Sequence, residues 1–426
     1  MLDLRYLREN ADEYRQALKR RGMDDQNPLL DELLTLDAEW RHTTVERDRL
    51  REEQNAASKR IGALKRERKN ADALIAEMQS VARRVHELDK RLSVQRARLD
   101  EIQMTLPNPP HADVPDGADE NDNVVVKEWG EPKPLDFEPL PHWTLGERLD
   151  ILDLPRAAKI AGSGFAVLKG DGARLTRSLL RFMLDQHTQR GYTEIWAPAL
   201  ANRASMSGTG QLPKFEEDMY RAAGHAHDLF LIPTAEVPLT NMHADEILDA
   251  ESLPIRYCGY TPCFRREAGA AGRDTRGILR VHQFDKVELV KIVPADASYD
   301  EHESLLADAE HIVQLLEIPY RVVLMCAGDL DFKGAKQYDI EIWSAGEGRW
   351  LEVSSVSNFE AFQSRRAGIR YRPAPRAKPE YAHTLNGSGV AVPRLLISLL
   401  ENNQQADGSV AIPPALAPYF GAERIG

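Results

Sequence analysis

Two apolar stripes near the start of the chain constrain its fold more than any other feature. In the first, Leu33, Leu36, Trp40, Thr43, Arg47, Leu50, Gln54, Ala57, Ile61 and Leu64 recur at alternating steps of three and four. In the second, Leu74, Met78, Val81, Val85, Leu88, Leu92, Gln95, Leu99 and Ile102 do the same. That spacing is a coiled-coil seam: it keeps one helix face turned toward a partner over many turns. Charged residues fill the other positions, and no proline interrupts either run. The stripes break at Glu67–Asp72, where "ERKNAD" can turn. The pattern predicts an antiparallel two-helix arm over 31–106, each limb about 50 Å long at 1.5 Å per residue.

An arm this thin buries little area per residue, so its use is reach. Near its tip lie Lys59, Arg60, Lys65, Arg66, Arg68 and Lys69, opposed by Glu67. A charge run is often a solvated helix face. Here, however, the chain as a whole carries a net charge of −12 over 426 residues. That balance excludes a protein that coats nucleic acid with its whole surface. A local basic tip on an acidic protein points instead to a phosphate backbone met at one place.

Before the arm, "LRENADEYRQALKRRG" reads as one amphipathic helix ending at Gly22. After it, "LPNPPHADVPDGADENDN" and "EWGEPKPLDFEPLPHW" read as linker, rich in proline and acids. The expected division is an N-terminal domain over 1–106, a linker over 107–143 and a main domain over 144–426. In the main domain strand-like runs alternate with helices, giving an α+β class. No apolar run reaches the ~20 residues of a membrane span. The opening "MLDLRYLREN" lacks the apolar core of a secretory signal. Cys258, Cys263 and Cys326 form no zinc pattern. A cytoplasmic setting, without membrane or zinc, is the expectation.

The segment "FRREAGAAGRDTRGILRVHQFDKVELV" concentrates arginine and glycine. Read as strands 262–267 and 278–290 joined by a loop, its side chains alternate faces. Arg280, His282, Phe284, Lys286 and Glu288 share one face, while Val281, Val287 and Leu289 can face a core. Arg265 and Glu267 share a face of the first strand. Arginine neutralises phosphate with a planar fork of donors. An aromatic ring can lie on a purine, and a carboxylate can accept from its amino group. The loop can then close over the phosphates. A surface hairpin is the plainer alternative.

Other segments fit the same cleft less specifically. "LFLIPTAEVPL" runs into Thr234, which suits a helix N-cap as well as a ligand. "RWLEVSSVSNF" places Glu352 and Ser355 near a strand end, and hard oxygens of this kind suit Mg²⁺ beside a triphosphate. "TLNGSGVAVPRLLISLLEN" is a glycine turn into an apolar helix, with Pro393 in its first turn and Arg394 next, an anion site by geometry.

"FRRE", a glycine-rich loop and Arg280-x-x-x-Phe284-x-x-x-Glu288 together resemble motif 2 of the class II aminoacyl-tRNA synthetases. The run is most similar to that of the seryl-tRNA synthetase family, and the similarity extends over the whole chain, arm included. "GTGQLPKFEEDMY", "PTAEVP", "EVSSVSNFEAFQSRR" and "TLNGSGVAVPR" belong to the same resemblance. "LLRFMLDQHTQRGYTEIWAPAL" resembles motif 1, which implies a homodimer. Pro393, where relatives often carry a small residue, is a mild departure.

The resemblance implies an antiparallel-sheet catalytic domain behind the coiled-coil arm, and a serine–tRNA ligase that uses ATP and L-serine. Arg265, Arg266, Glu267, Val281, Phe284, Glu352, Val353, Ser354, Ser355 and Arg394 would bind ATP, with Glu352 and Ser355 on Mg²⁺. Thr234, Ala235, Glu236, Arg265, Glu288, Asn386 and Ser388 would hold serine. Arg265, Glu288 and Arg394 would carry the chemistry. The six basic residues at the tip would meet tRNA(Ser), and in bacterial relatives tRNA(Sec) as well. Three alternatives stand beside this one. An amino-acid:carrier-protein ligase would lack the arm. An inactive paralogue acting as an RNA-binding protein would have lost the motif arginines and acids. A coiled-coil RNA-binding protein with an unrelated C-terminal domain would show no pyrophosphate exchange.

Overall fold

The computed structural model describes residues 1–224, 228–268 and 276–426. It divides into two compact units, one comprising 2–19 with 23–107 and the other residue 1, 20–22 and 108–426. In the first unit, α1 (Leu4–Glu9) and α2 (Ala11–Arg20) replace the single helix expected there. The break falls at Asn10, whose side-chain and backbone N–H groups both donate to the Tyr6 carbonyl, at 3.1 and 2.8 Å, ending the first helix.

The arm is α3 (Asn27–Arg66) and α4 (Asp72–Thr105), with Pro28 in the first turn of α3. Leu33, Leu50 and Ala57 on one limb and Val85, Leu88, Leu92 and Leu99 on the other are buried. Cross-limb ion pairs set the direction: Arg98 with Glu32, Arg91 with Glu39 and Arg84 with Glu46, at 2.7, 3.3 and 3.0 Å. Their numbers fall on one limb as they rise on the other, which is an antiparallel pairing. Exposed pairs like these fix register more than they stabilise. Several seam positions, Leu36 and Trp40 among them, are only half-buried. Asp37, not Leu36, is buried, because Arg8 and Arg41 neutralise it at 3.1 and 3.0 Å. Toward the tip, Ile61, Leu64, Leu74 and Met78 are only half-buried.

The second unit is built on an eight-stranded sheet: β1 (Val124–Trp129), β2 (Thr193–Glu194), β3 (Ile255–Phe264), β4 (Gln283–Val293), β5 (Tyr320–Leu324), β6 (Lys336–Ser344), β7 (Arg349–Asn358) and β8 (His383–Ala391). Their order is β1-β5-β6-β7-β8-β4-β3-β2, antiparallel throughout except for the β2/β3 pair. Helices α5 (Asp171–Gln189), α7 (Ser298–Leu315) and α8 (Val392–Asn402) supply Phe182, Ile312 and Leu396 to the apolar core against the sheet, and the short α6 (Glu236–Asn241) adds Leu239 to a smaller cluster. Part of the segment read as linker is therefore folded: it supplies the edge strand β1, and Asn108 and Val114 are buried. Among the described residues no helix is long and apolar enough to cross a membrane.

Candidate active site

Strands β3 and β4 pair from Ile255↔Ile292 to Phe264↔Gln283. The expected strands ran further, through Arg265–Glu267 and back from Ile278. The backbone instead leaves the ladder after Phe264, with one more contact in which Arg265 N–H donates to the His282 carbonyl at 2.9 Å. Arg280 and His282 thus do not belong to the strand face. Arg280 is brought in by the bend and pairs with Glu267 at 2.7 Å, where Glu267 takes a left-handed backbone (φ +52°). The loop expected to close over phosphates lies largely at 269–275, outside the described residues.

The strand face that does form carries Phe284 and Lys286 into a cleft of about 600 Å³. Val287 and Leu289 turn into the core, as alternation requires. The Arg265 guanidinium lies 5.2 Å from the centre of the Phe284 ring, in the geometry of a cation–π contact. It is exposed, and among the described residues no carboxylate pairs with it. A cation held in a cleft with no paired carboxylate among the described residues is placed for an anion.

Most of the residues expected here line this cleft: Thr234, Glu236, Arg265, Glu267, Val281, Phe284, Glu352, Val353, Ser354, Ser355, Asn386, Ser388 and Arg394. Three do not. The Arg266 guanidinium turns to the Glu217 carbonyl at 3.0 Å. Ala235 is buried in an apolar cluster beside Leu239. Glu288 is wholly buried, and its carboxylate accepts from Asn386 Nδ2 at 2.7 Å and Ser388 Oγ at 3.5 Å while pairing with Lys286.

At one end of the cleft, Arg394 at the start of α8 donates to the Glu352 carbonyl at 2.6 Å, and its guanidinium lies 3.3 Å from the Glu352 carboxylate. Ser355 Oγ donates to the same carboxylate at 3.1 Å. Glu352 keeps nearly half its side-chain surface open, although protein packs closely around it. Desolvation opposes its ionisation, but Arg394, the Ser355 hydroxyl and Arg265 outweigh that and hold its carboxyl below the usual range. Asp339, paired across the sheet with Ser355, shows the opposite shift. Burial and then the neighbouring Glu352 charge push its carboxyl well up. The Glu352 carboxylate and the Ser355 hydroxyl, both lining the cleft, are hard oxygen donors of the kind a Mg²⁺ ion takes.

At the other end, Thr234 Oγ1 accepts from Glu236 N–H at 3.2 Å. The buried Glu236 carboxylate meets Lys333 Nζ with both oxygens, at 2.8 and 2.7 Å, and also accepts from Gln363 Nε2 at 2.5 Å. Lys333 was not anticipated. It comes from the loop before β6, which carries no periodic pattern, and only tertiary packing brings it here. Gln337 lines the cleft in the same way, as do Gln211 and Phe215 from the segment "GTGQLPKFEEDMY", to which no role was assigned.

A buried relay fixes the roots of two segments that line the cleft. Glu401 on α8 accepts from His142 N–H at 2.8 Å, from its Nδ1 at 2.9 Å, from Gly346 N–H at 3.0 Å and from Ser344 Oγ. His142 Nε2 in turn accepts from Ile278 N–H at 3.1 Å, so its proton sits on Nδ1. Gly277 (φ +68°) passes close against the Nε2 edge of that ring, and a Cβ there would fall 1.9 Å from Nε2. The relay thus ties the helix bearing Arg394 to the segment bearing Arg280.

Comparison with known proteins agrees in both units. Residues 1–110 match the family described as "Seryl-tRNA synthetase N-terminal domain" and residues 219–403 match "tRNA synthetase class II core domain (G, H, P, S and T)". The chain is 51% identical over 426 residues to a serine–tRNA ligase of Desulfitobacterium hafniense, covering 100% of both. It is 53% identical over 427 residues to one of Syntrophobacter fumaroxidans, again covering 100% of each. Among solved structures it resembles the Pyrococcus horikoshii seryl-tRNA synthetase complexed with ATP, with a TM-score of 0.94 and 40% identity, covering 100% of this chain and 99% of that one. It also resembles a Naegleria fowleri serine–tRNA ligase in complex with AMP, with a TM-score of 0.88 and 29% identity, covering 100% and 98%.

Proposed function

This chain belongs to the seryl-tRNA synthetase family of class II aminoacyl-tRNA synthetases and has serine–tRNA ligase activity, and we propose that the cleft between β4, β7 and β8 performs it in two steps. A carboxylate oxygen of serine attacks the α-phosphorus of ATP, the bond to the bridging oxygen breaks, and pyrophosphate leaves. A ribose hydroxyl at the tRNA 3′ end then attacks the carbonyl of seryl-adenylate, loses its proton, and AMP leaves. The carboxylate is already a nucleophile, so the first step needs no protein base. It needs alignment and neutralised charge.

Arg265 holds the α-phosphate and the serine carboxylate. Its unpaired guanidinium inside the cleft is the observation that carries this reading. Phe284 supports the adenine ring, Glu267 reads its amino group, and Arg394 takes the γ-phosphate. Glu352 and Ser355 would hold Mg²⁺, which when bound supplies charge neutralisation to the phosphates. At the other end, Thr234 and Glu236 receive the serine ammonium. Asn386 and Ser388, oriented by Glu288, read its hydroxyl. A site that bonds a hydroxyl can reject an analogue lacking it by ~10⁴.

The six basic residues at the arm tip are all exposed and serve tRNA(Ser), with tRNA(Sec) as a second acceptor where the cell has one. A homodimer is supported by β2, a sheet-edge strand followed by Trp196 at 84% exposure. A cytoplasmic location fits three free cysteines. The test is ATP–pyrophosphate exchange on the purified protein. Exchange should depend on serine and be weak with glycine or alanine, and equal rates with all three would remove the serine assignment.

A further inference from the structure

We propose that Lys333 is a resident counter-ion in the amino-acid end of the cleft and sets its affinity for serine, by holding the carboxylate that the incoming ammonium must share. The inference rests on the reading of Glu236 as the ammonium site. Glu236 and Lys333 both line the cleft, and both are nearly excluded from solvent. Lys333 Nζ meets both Glu236 oxygens, at 2.8 and 2.7 Å, and lies 5.0 Å from the centre of the Phe359 ring. Gln363 takes a further bond on the same carboxylate. The free protein has thus already placed an alkylammonium on this carboxylate.

The backbone that carries Lys333 is pinned. Arg21 donates to the carbonyls of Leu330 and Asp331, at 3.0 and 3.2 Å, and to that of Gly334. Asn108 donates to the Lys333 carbonyl at 3.0 Å. Lys333 can therefore yield only by turning its side chain. A serine ammonium that reaches Glu236 either displaces Nζ or shares the carboxylate with it. Either route costs affinity: the first breaks a buried ion pair, and the second brings two like charges together in a poorly solvated place. In return, the free cleft never holds Glu236 as a lone buried charge.

Methionine has nearly the same stem length and no charge, so Lys333→Met keeps the packing on Phe359 while freeing Glu236. Titration calorimetry of the full-length protein with serine alone should then give binding tighter by on the order of tenfold, since one ammonium no longer competes. The KM for serine in exchange should fall in parallel. Lys333→Arg keeps the cation and adds a second parallel donor, so it grips Glu236 at least as well, and serine should bind no more tightly than to the parent. A lysine that only orders the loop predicts weaker binding in both variants. Weaker or unchanged serine binding in Lys333→Met overturns the proposal. If that variant does not fold, Lys333→Arg decides, and tighter serine binding there overturns it. Glu236→Gln separates the two layers. If it leaves serine binding unchanged, the ammonium site lies elsewhere, and the reading and the proposal fall together. If it weakens serine while Lys333→Met does not tighten it, only the counter-ion role is lost.

Discussion

Replacing Arg265 by alanine should separate catalysis from folding. The side chain is exposed, pairs with no carboxylate among the described residues, and touches Phe284 only through a contact of 5.2 Å. Its structural bond, N–H to the His282 carbonyl at 2.9 Å, is made by the backbone and survives the change. The stability lost is the cation–π contact, under about 1 kcal/mol at an exposed site, and a solvent-screened attraction to the Glu352 carboxylate. The catalytic loss is larger, because the charge that develops at the α-phosphorus loses its aligned donor. Deleting one such donor costs roughly 3–4 kcal/mol, or about 10²–10³ in rate. A second effect follows from the geometry. Arg265 is one of the groups that keep the Glu352 carboxyl low, so its loss lets that carboxyl rise, and the acid limb of the rate profile moves to higher pH. Arg265→Lys restores charge without the planar fork and should fall between parent and alanine variant. The assay is serine-dependent ATP–pyrophosphate exchange against pH, alongside thermal unfolding. Exchange within about tenfold of the parent would refute the placement of Arg265 on the reacting phosphate, as would a loss of rate that unfolding fully explains.

Three further outcomes follow. Changing Lys59, Arg60, Lys65, Arg66, Arg68 and Lys69 to alanine should leave exchange intact but cut tRNA charging and flatten its salt dependence, because each lost phosphate contact removes released counterions; unchanged charging would end the arm's proposed role. Glu401→Ala strips the acceptor from three buried donors and one half-buried one and should cost about 3 kcal/mol or more in urea unfolding, since each stranded buried donor costs roughly 1–3 kcal/mol; a loss below about 1 kcal/mol would contradict the relay. His187 and His302 are buried, and desolvation lowers both from 6.5 to about 4. Between those values the unfolded chain binds protons that the folded one does not. Stability from these groups is therefore full above pH 6.5 and declines as pH falls toward 4, by about 3 kcal/mol for each histidine. Unfolding free energies that stay flat across that window would show the two rings to be accessible to protons.

Much of this was legible because it is local. The arm's seam repeats within each helix, so periodicity alone placed α3, α4 and their turn. The alternation of Phe284, Lys286 and Glu288 against Val287 and Leu289 likewise survived into β4. What failed was decided by contacts between distant segments. In "LRENADEYRQ" Asn10 with Glu13 three residues on is a signal that a helix starts at Ala11, but one amphipathic period runs through it and masks the break that the Asn10 bond to the Tyr6 carbonyl makes. The strand in the supposed linker, VVVKEW, is rich in β-branched residues, but it is exposed throughout and stands alone among prolines and acids, so only its pairing with β5 makes it part of the fold. Arg280 sits at strand spacing from Phe284, yet the chain bends before reaching it. Asp339 lies in β6 beside a register shift between Ile340 and Glu341, and the pairing rather than the pattern turns it toward Ser355. Lys333 had no local signal, because its role exists only where its loop meets Glu236.

Whether one cleft joins serine to the α-phosphate of ATP is decided by incubating the protein with α-labelled ATP and each candidate amino acid, without tRNA, and isolating what stays bound. Labelled seryl-adenylate, close to one per cleft, should form with serine, far less with glycine or alanine, and roughly 10²–10³ times more slowly in the Arg265→Ala variant. Labelled adenylate appearing equally with all three amino acids, or undiminished without Arg265, would contradict this role of the cleft.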